Sequence, residues 1–223
     1  MGEEVLLVGD ESHHLARVMR KSHGDMVELV NGRNQLAHAE ILAHEKKGVR
    51  LKVVQVEKKQ FTGHPTILCQ ALPRLNRLET IVEKGTELGM TALWLFPGAL
   101  SEKKELSSTQ MQRLKTIAIS AMKQCGRLDL PEIIFKPALS HWISLEYPAY
   151  FGDVDPQAPP FLELLQRHEG VLFFIGPESG LTEEEETRLR SLGAQGVHLH
   201  SHILRTDTAS LVALSLISLR YNN

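Results

Sequence analysis

From Thr66 onward, short apolar runs alternate with stretches whose apolar residues recur at helical spacing, and this rhythm constrains the fold more than any other feature. TILCQAL, TALWLF, PEIIF, VLFFIG and GVHLHSHIL read as strands. Between the first two, RLNRLETIVEKGTELG sets Leu75, Leu78, Val82 and Leu88 on one helical face and ends at Gly89, a ready C-cap. Ser107 with Gln110 and Thr182 with Glu185 form capping boxes. The first opens a helix striped by Met111, Leu114, Ile117, Ala118, Ala121, Met122 and Cys125 and stopped at Gly126; the second opens EEEETRLRSLG, whose acidic first turn suits the helix dipole. An irregular stretch through Pro156, Pro159 and Pro160 leads to a short helix in FLELLQRH. Five strand and helix units of this kind predict a mostly parallel α/β sheet with right-handed crossovers. VLFFIG has the unbroken apolar character of a strand buried on both faces.

Residues 1–66 have another rhythm. EVLLVG, MVELVNG, QLAHAEILAH and GVRLKVVQVEKK are short strands punctuated by Gly24, the turn at Asn31 to Asn34, and Gly48. SHHLARVMRKSHG supplies a helix with Leu15, Val18 and Met19 inward and Ser12 as its N-cap. A small β-barrel is expected, joined through Gly63 and Pro65 to the rest, so the domains are placed at 1–65 and 66–223.

Composition narrows the class. The 223 residues are 42% hydrophobic and 23% charged, which fits a globular chain rather than a disordered or fibrous one. No run reaches the ~18 to 20 apolar residues of a membrane span, and MGEEVLLVGDE lacks the basic start of a signal peptide, so a cytoplasmic protein is expected. Cys69 and Cys125 read as two reduced, packed thiols. The net charge of −2 hides an asymmetry: +1 over residues 1–66, +3 over 67–130 and −6 over 131–223. Basic groups are thus concentrated in the first 130 residues.

Several motifs lie where chemistry is plausible. IGPESGL, Ile175 to Leu181, follows a buried strand and precedes a capped helix, the position at which open α/β sheets bind ligands. It is neither a P-loop nor a dinucleotide fingerprint nor a nucleophile elbow. His198, His200 and His202 would share one side of a continued strand, a metal-site pattern, but no carboxylate lies near in sequence and no metal is expected. ILRTDTA sets Arg205 before a helix that Thr206 or Asp207 can cap. A buried Arg there would want an anion. Arg127 follows the helix ending in QCG, where a dipole role is routine, and Lys84 with Glu87 forms a helix-surface pair. The last helix, TDTASLVALSLISLRY, is apolar all round apart from Ser210, Ser215 and Ser218, and predicts burial within the subunit or against a second one.

Taken together, HHLARVMRKSHGD, ALPRLNRLETIVEKGTELG, QCGRLDLPEI, IGPESGLTEEE and HILRTDTA resemble, in order and over nearly the whole chain, the bacterial 16S ribosomal RNA uridine-N3 methyltransferases of the SPOUT superfamily. The resemblance implies a PUA-like β-barrel followed by an α/β SPOUT methyltransferase domain with a C-terminal trefoil knot. It implies S-adenosyl-L-methionine as cofactor, a homodimer packed through the last helix, no metal and no membrane, and 16S ribosomal RNA or the assembled small ribosomal subunit as partner. Carried over to this chain, it puts the cofactor against Phe174, Ile175, Gly176, Pro177, Gly180, Leu199, His200, Ile203, Leu204 and Thr208. Arg205, Glu178 and Asp207 become the catalytic candidates, and Arg17, Arg20, Arg74, Lys103 and Arg127 the RNA-holding ones. The chain departs from the family pattern at Ser179, Leu181, His200, His202, Asp207 to Ala209 and Lys103 with Lys104. These departures leave room for another RNA nucleotide as target, or for an RNA-binding homologue without activity.

Overall fold

The computed structural model describes residues 3–60 and 63–222, and the chain divides into two units, Met1–Phe61 and Thr62–Asn223. Thr62, part of the expected linker, lies outside the described residues. In the first unit, β1 (Glu4–Leu7), β2 (Met26–Val30), β3 (Gln35–Glu45) and β4 (Gly48–Lys58) form an antiparallel sheet in the order β1-β4-β3-β2. Register shifts between β3 and β4 at His38/Ala39 and Ile41/Ala43 bend the long hairpin, as an extra residue in one strand does. One sheet face and the following helical turn bury Leu15, Val27, Ala39, Ile41, Val49 and Leu51. The helix departs from expectation: α1 (Gly9–His13) begins earlier and runs into a π-helical turn (His14–Val18). Ser12 therefore lies inside it, donating its hydroxyl to Gly9 O at 3.0 Å instead of capping.

The second unit is a six-stranded, all-parallel sheet in the order β10-β8-β9-β5-β6-β7, from β5 (Thr66–Ala71), β6 (Ala92–Phe96), β7 (Glu132–Phe135), β8 (Ala149–Gly152), β9 (Val171–Ile175) and β10 (Gln195–Val197). Its helices are α2 (Leu75–Glu87), α3 (Ser108–Cys125), α4 (Phe161–Leu164), α5 (Glu183–Ser191) and α6 (Thr206–Asn222). Both capping boxes form, and α3 ends in a left-handed Gly126, φ 78°. In β9 the pleat sends Val171, Phe173 and Ile175 into one apolar cluster and Leu172 and Phe174 into the other, so a single strand serves both cores.

Two strands differ from the sequence reading. β8 lies in the stretch read as irregular: AYFG, between Pro148 and Asp153, is too short for a period to show, yet it pairs with both β9 and β10. β10 is shorter than expected and stops at Val197. His198 instead exchanges backbone hydrogen bonds with Pro159 and Phe161, and the chain then turns away, so the three histidines do not share a strand face. Cys69 is buried, whereas Cys125 is exposed at the end of α3. No helix among the described residues is long and apolar enough to cross a membrane.

Candidate functional site

The carboxyl ends of β8, β9 and β10 open onto a cleft of about 630 Å³. This is where an open parallel sheet binds ligands, beside the place where strand order reverses. Its walls are three loops. Gly152 to Pro156 follow β8, Ile175 to Leu181 follow β9, and His198 to Leu204 with Thr206 and Ala209 lead into α6.

The β9 loop is a tight turn made possible by glycine. A Cβ on Gly176 would lie 2.7 Å from both Gly180 C and Leu181 N, so only glycine lets the turn close on itself. Gly180 has φ 79°. Leu181 packs against the cluster containing Phe174 and Trp142. Below the loop, Thr206 donates its hydroxyl to Gly176 O at 2.7 Å, fastening the start of α6 to the turn. That hydroxyl is thereby spent on the loop.

The wall's charge is one-sided. Among the described residues, Asp153, Asp155, Glu178 and Glu186 line the cleft, and no Lys or Arg does. Asp153 is nearly buried, accepts the Asp155 N–H at 2.9 Å and pairs with Arg190 at 2.6 Å. Burial, reinforced by the neighbouring Asp153 charge, raises the pKa of Glu186. A ligand carrying positive charge suits such a wall, and a nucleotide phosphate does not.

Of the expected cofactor residues, Ile175, Gly176, Pro177, Gly180, Leu199, His200, Ile203 and Leu204 line this cleft. Phe174 does not: it is 0% exposed on the opposite face of β9, with its ring 5.5 Å from that of Trp142. Thr208 is exposed and outside the lining. The His200 and His202 rings lie 5.2 Å apart with their planes inclined at 53°, and His200 Nδ1 accepts the His202 N–H at 3.1 Å. Among the catalytic candidates, Glu178 lines the cleft and accepts the Arg74 N–H at 3.0 Å. Arg205 is exposed between two lining residues, Leu204 and Thr206. Asp207 is buried away from the lining and paired with Arg77 at 2.8 Å.

The basic candidates separate in the same way. Arg17 and Arg20 are exposed on the first unit. Arg74, exposed, pairs with Glu102 at 2.9 Å, and Lys103 is exposed nearby in sequence. Arg127 is committed internally, donating to Thr86 O at 2.6 Å and Met90 O at 3.0 Å and pairing with Asp129. It ties the end of α3 to the end of α2. Asp153 and Asp155 follow β8, a strand too short for its period to show in the sequence, whereas Glu186 lies on the predicted helix α5, one of four consecutive glutamates with no local signal that it faces the cleft. Among the described residues, no group of three or more His, Cys, Asp or Glu is gathered as a metal site.

An open parallel sheet with a glycine-turn cleft at its switch point, bound from below by its own C-terminal helix, defines a small-ligand-binding α/β domain. Residues 62–218 match the family model described as RNA methyltransferase domain, and residues 7–54 the one described as RNA methyltransferase PUA domain. The chain belongs to this RNA methyltransferase family. It is 29% identical to ribosomal RNA small subunit methyltransferase E of Bacillus subtilis (strain 168) over 95% of this chain and 88% of that one. It is 26% identical to the protein of the same name from Mycobacterium bovis, over 97% and 86%. A crystal structure of ribosomal RNA small subunit methyltransferase E from Neisseria gonorrhoeae, bound to S-adenosyl methionine, superposes with a TM-score of 0.85 at 25% identity, covering 99% of this chain and 93% of that one.

Proposed function

We propose that the protein transfers a methyl group from S-adenosyl-L-methionine to N3 of a uridine in 16S ribosomal RNA. The observation that carries the reading is the cleft. Its glycine turn brings backbone close to a ligand, and a lining that among the described residues has four carboxylates, one of them paired with Arg190 outside it, and no lysine or arginine fits a donor that bears sulfonium and ammonium charges. Ile175 to Gly180 and Leu199 to Leu204 would hold that donor, whose contribution is an already activated methyl group.

The chain's own residues have the remaining work, which is to bind and unstack the base, accept its N3 proton and offset the charge that develops on the uracil oxygens. Arg205, exposed between the cleft-lining residues Leu204 and Thr206, is assigned to that charge. Glu178 has one oxygen held by the Arg74 N–H, and the carboxylate is assigned to accepting the proton, directly or through water. Asp207, already paired with Arg77, positions the start of α6. Arg17, Arg20, Arg74 and Lys103 neutralise phosphates, and Arg127 supports the α2 and α3 ends from within.

The finer architecture follows the same reading. The first unit, to about residue 65, is a PUA-like barrel that holds RNA, and its bent β3 and β4 hairpin supports that closure. Residues 66–223 are threaded as a trefoil knot, supported by the strand order and by the bond from Thr206 to the β9 loop. A homodimer through the half-exposed side of α6, acting in the cytoplasm on the small subunit or its RNA, completes the proposal. Mass spectrometry of small-subunit RNA from a deletion strain tests it. Loss of one 3-methyluridine, restored by the purified protein with S-adenosylmethionine, is the expected result; loss of a 2′-O-methyl group, or of nothing, would overturn it.

A further inference from the structure

Gln70 is the one amide inside the apolar run TILCQAL, and its side chain is 0% exposed in a strand flanked by β6 and β9. A buried amide is costly unless its hydrogen bonds are made, and here they are made to elements distant in sequence. Nε2 lies 2.8 Å from Ala71 O, 3.1 Å from Gly176 O and 3.0 Å from Thr206 Oγ1. Oε1 accepts the Ser210 hydroxyl at 2.8 Å. Two carbonyl acceptors around one terminal atom settle which end is the NH2 group. The Thr206 hydroxyl, spent as a donor on Gly176 O, keeps a lone pair for Gln70. Gly176 and Thr206 line the cleft from two different loops, while Gln70 does not reach it.

We propose that Gln70 is a positioning residue for methyl-donor binding, a buried clamp that holds the β9 turn and the first turn of α6 at one fixed spacing. This rests on the donor site proposed above. With its two protons shared among these acceptors and Ile175 O at 3.4 Å, the amide joins the end of β5, the β9 turn and α6 at a single point. The carbonyl of Gly176 then faces inward, bonded from below. The backbone pairing of β5 with β9 ends at Gln70 and Ile175.

The test compares wild type with Gln70→Met, which keeps length and removes every hydrogen bond. The variant is expected to keep its circular dichroism spectrum. Backbone amide exchange in the donor-free protein should accelerate tenfold or more over residues 176–181 and 206–210, with the other strands unchanged. The Kd and KM for S-adenosylmethionine should rise about tenfold, equal to about 1.4 kcal/mol, while kcat at saturating donor changes less than about threefold. Gln70→Glu should bind the donor better at low pH, where the buried acid is protonated and still donates, and worse as pH rises. Uniform acceleration of exchange, or a lowered Tm with donor affinity intact, would overturn the proposal. Should Gln70→Met fail to fold, Thr206→Val removes one arm, and unaltered exchange at residues 176–181 in that variant overturns it too. If wild type binds no S-adenosylmethionine, the donor-site reading fails by itself, and the exchange pattern still decides the clamp.

Discussion

Arg205 and Glu186 show how much a single charge depends on where the backbone puts it. Arg205 is exposed between the cleft-lining residues Leu204 and Thr206, and its proposed role is to meet the substrate's developing charge. An interaction made mainly in the transition state lowers turnover when it is removed and spares ground-state binding. Arg205→Ala should therefore lose about 100-fold or more in kcat, with S-adenosylmethionine affinity nearly unchanged, as measured by single-turnover kinetics and calorimetry. Glu186 belongs to the wall. Burial first, then Asp153 and Glu183, hold its pKa above the ordinary 4.5 in the folded chain. A carboxyl of this kind keeps its proton in the folded state at a pH where the unfolded chain has lost it, so stability falls as pH rises through that interval. Glu186→Gln removes that loss. Thermal melts from about pH 4 to about pH 7 should show the variant gaining on wild type as pH increases, and a constant gap would contradict the assignment.

The β9 loop and helix α3 respond to backbone geometry and local chemistry in different ways. Gly176→Ala would force a methyl to within 2.7 Å of the backbone at Gly180 and Leu181, and backbone cannot rotate aside as a side chain can. The turn must open, so donor binding should fall at least tenfold while the core, distant from the turn, keeps most of its stability; calorimetric titration and a melting curve separate the two. Ser107 instead acts on one helix end: its oxygen accepts the Gln110 N–H at 3.2 Å, and the Gln110 side chain returns the bond. Ser107→Ala should cost about 1 kcal/mol in denaturant melts and leave donor affinity alone.

At the scale of the molecule, α6 has two kinds of leucine. Leu214 is fully buried inside its own subunit, with its Cδ1 near Gly85, whereas Leu216 is only partly buried. Leu214→Glu would put an unpaired charge in the core and should unfold the second unit. Leu216→Glu is the variant that reports association. Light scattering of wild type at micromolar concentration should give a dimer, and of Leu216→Glu a folded monomer. A wild-type monomer would defeat the proposed dimer and leave α6 as an element of the monomer alone.

The strand and helix alternation apart from β8, and the helix ends marked by capping boxes, were legible in the amino-acid sequence because each depends on residues within a turn or a pleat of one another. The capping boxes at Ser107 and Thr182 and the unbroken run of β9 are local in this sense. The β9 loop is local too, but of the HILRTDTA residues that line the cleft, Ile203 and Leu204 were expected as ligand contacts and His202, Thr206 and Ala209 were not. Tertiary structure alone decided the rest. AYFG became a strand because β9 and β10 lie on either side to pair with it, and β10 ended at Val197 because His198 found its hydrogen bonds at Pro159 and Phe161. Asp207 and Arg127 turned inward because Arg77, Asp129 and the Thr86 and Met90 carbonyls met them there. Gln70 is a polar residue in an apolar strand, and what it holds was fixed only when β9 and α6 arrived beside it. Local propensity chooses the elements, whereas a buried hydrogen bond needs two partners, and here the chain supplies them from more than 100 residues apart, as with Gln70 and Thr206, separated by 136.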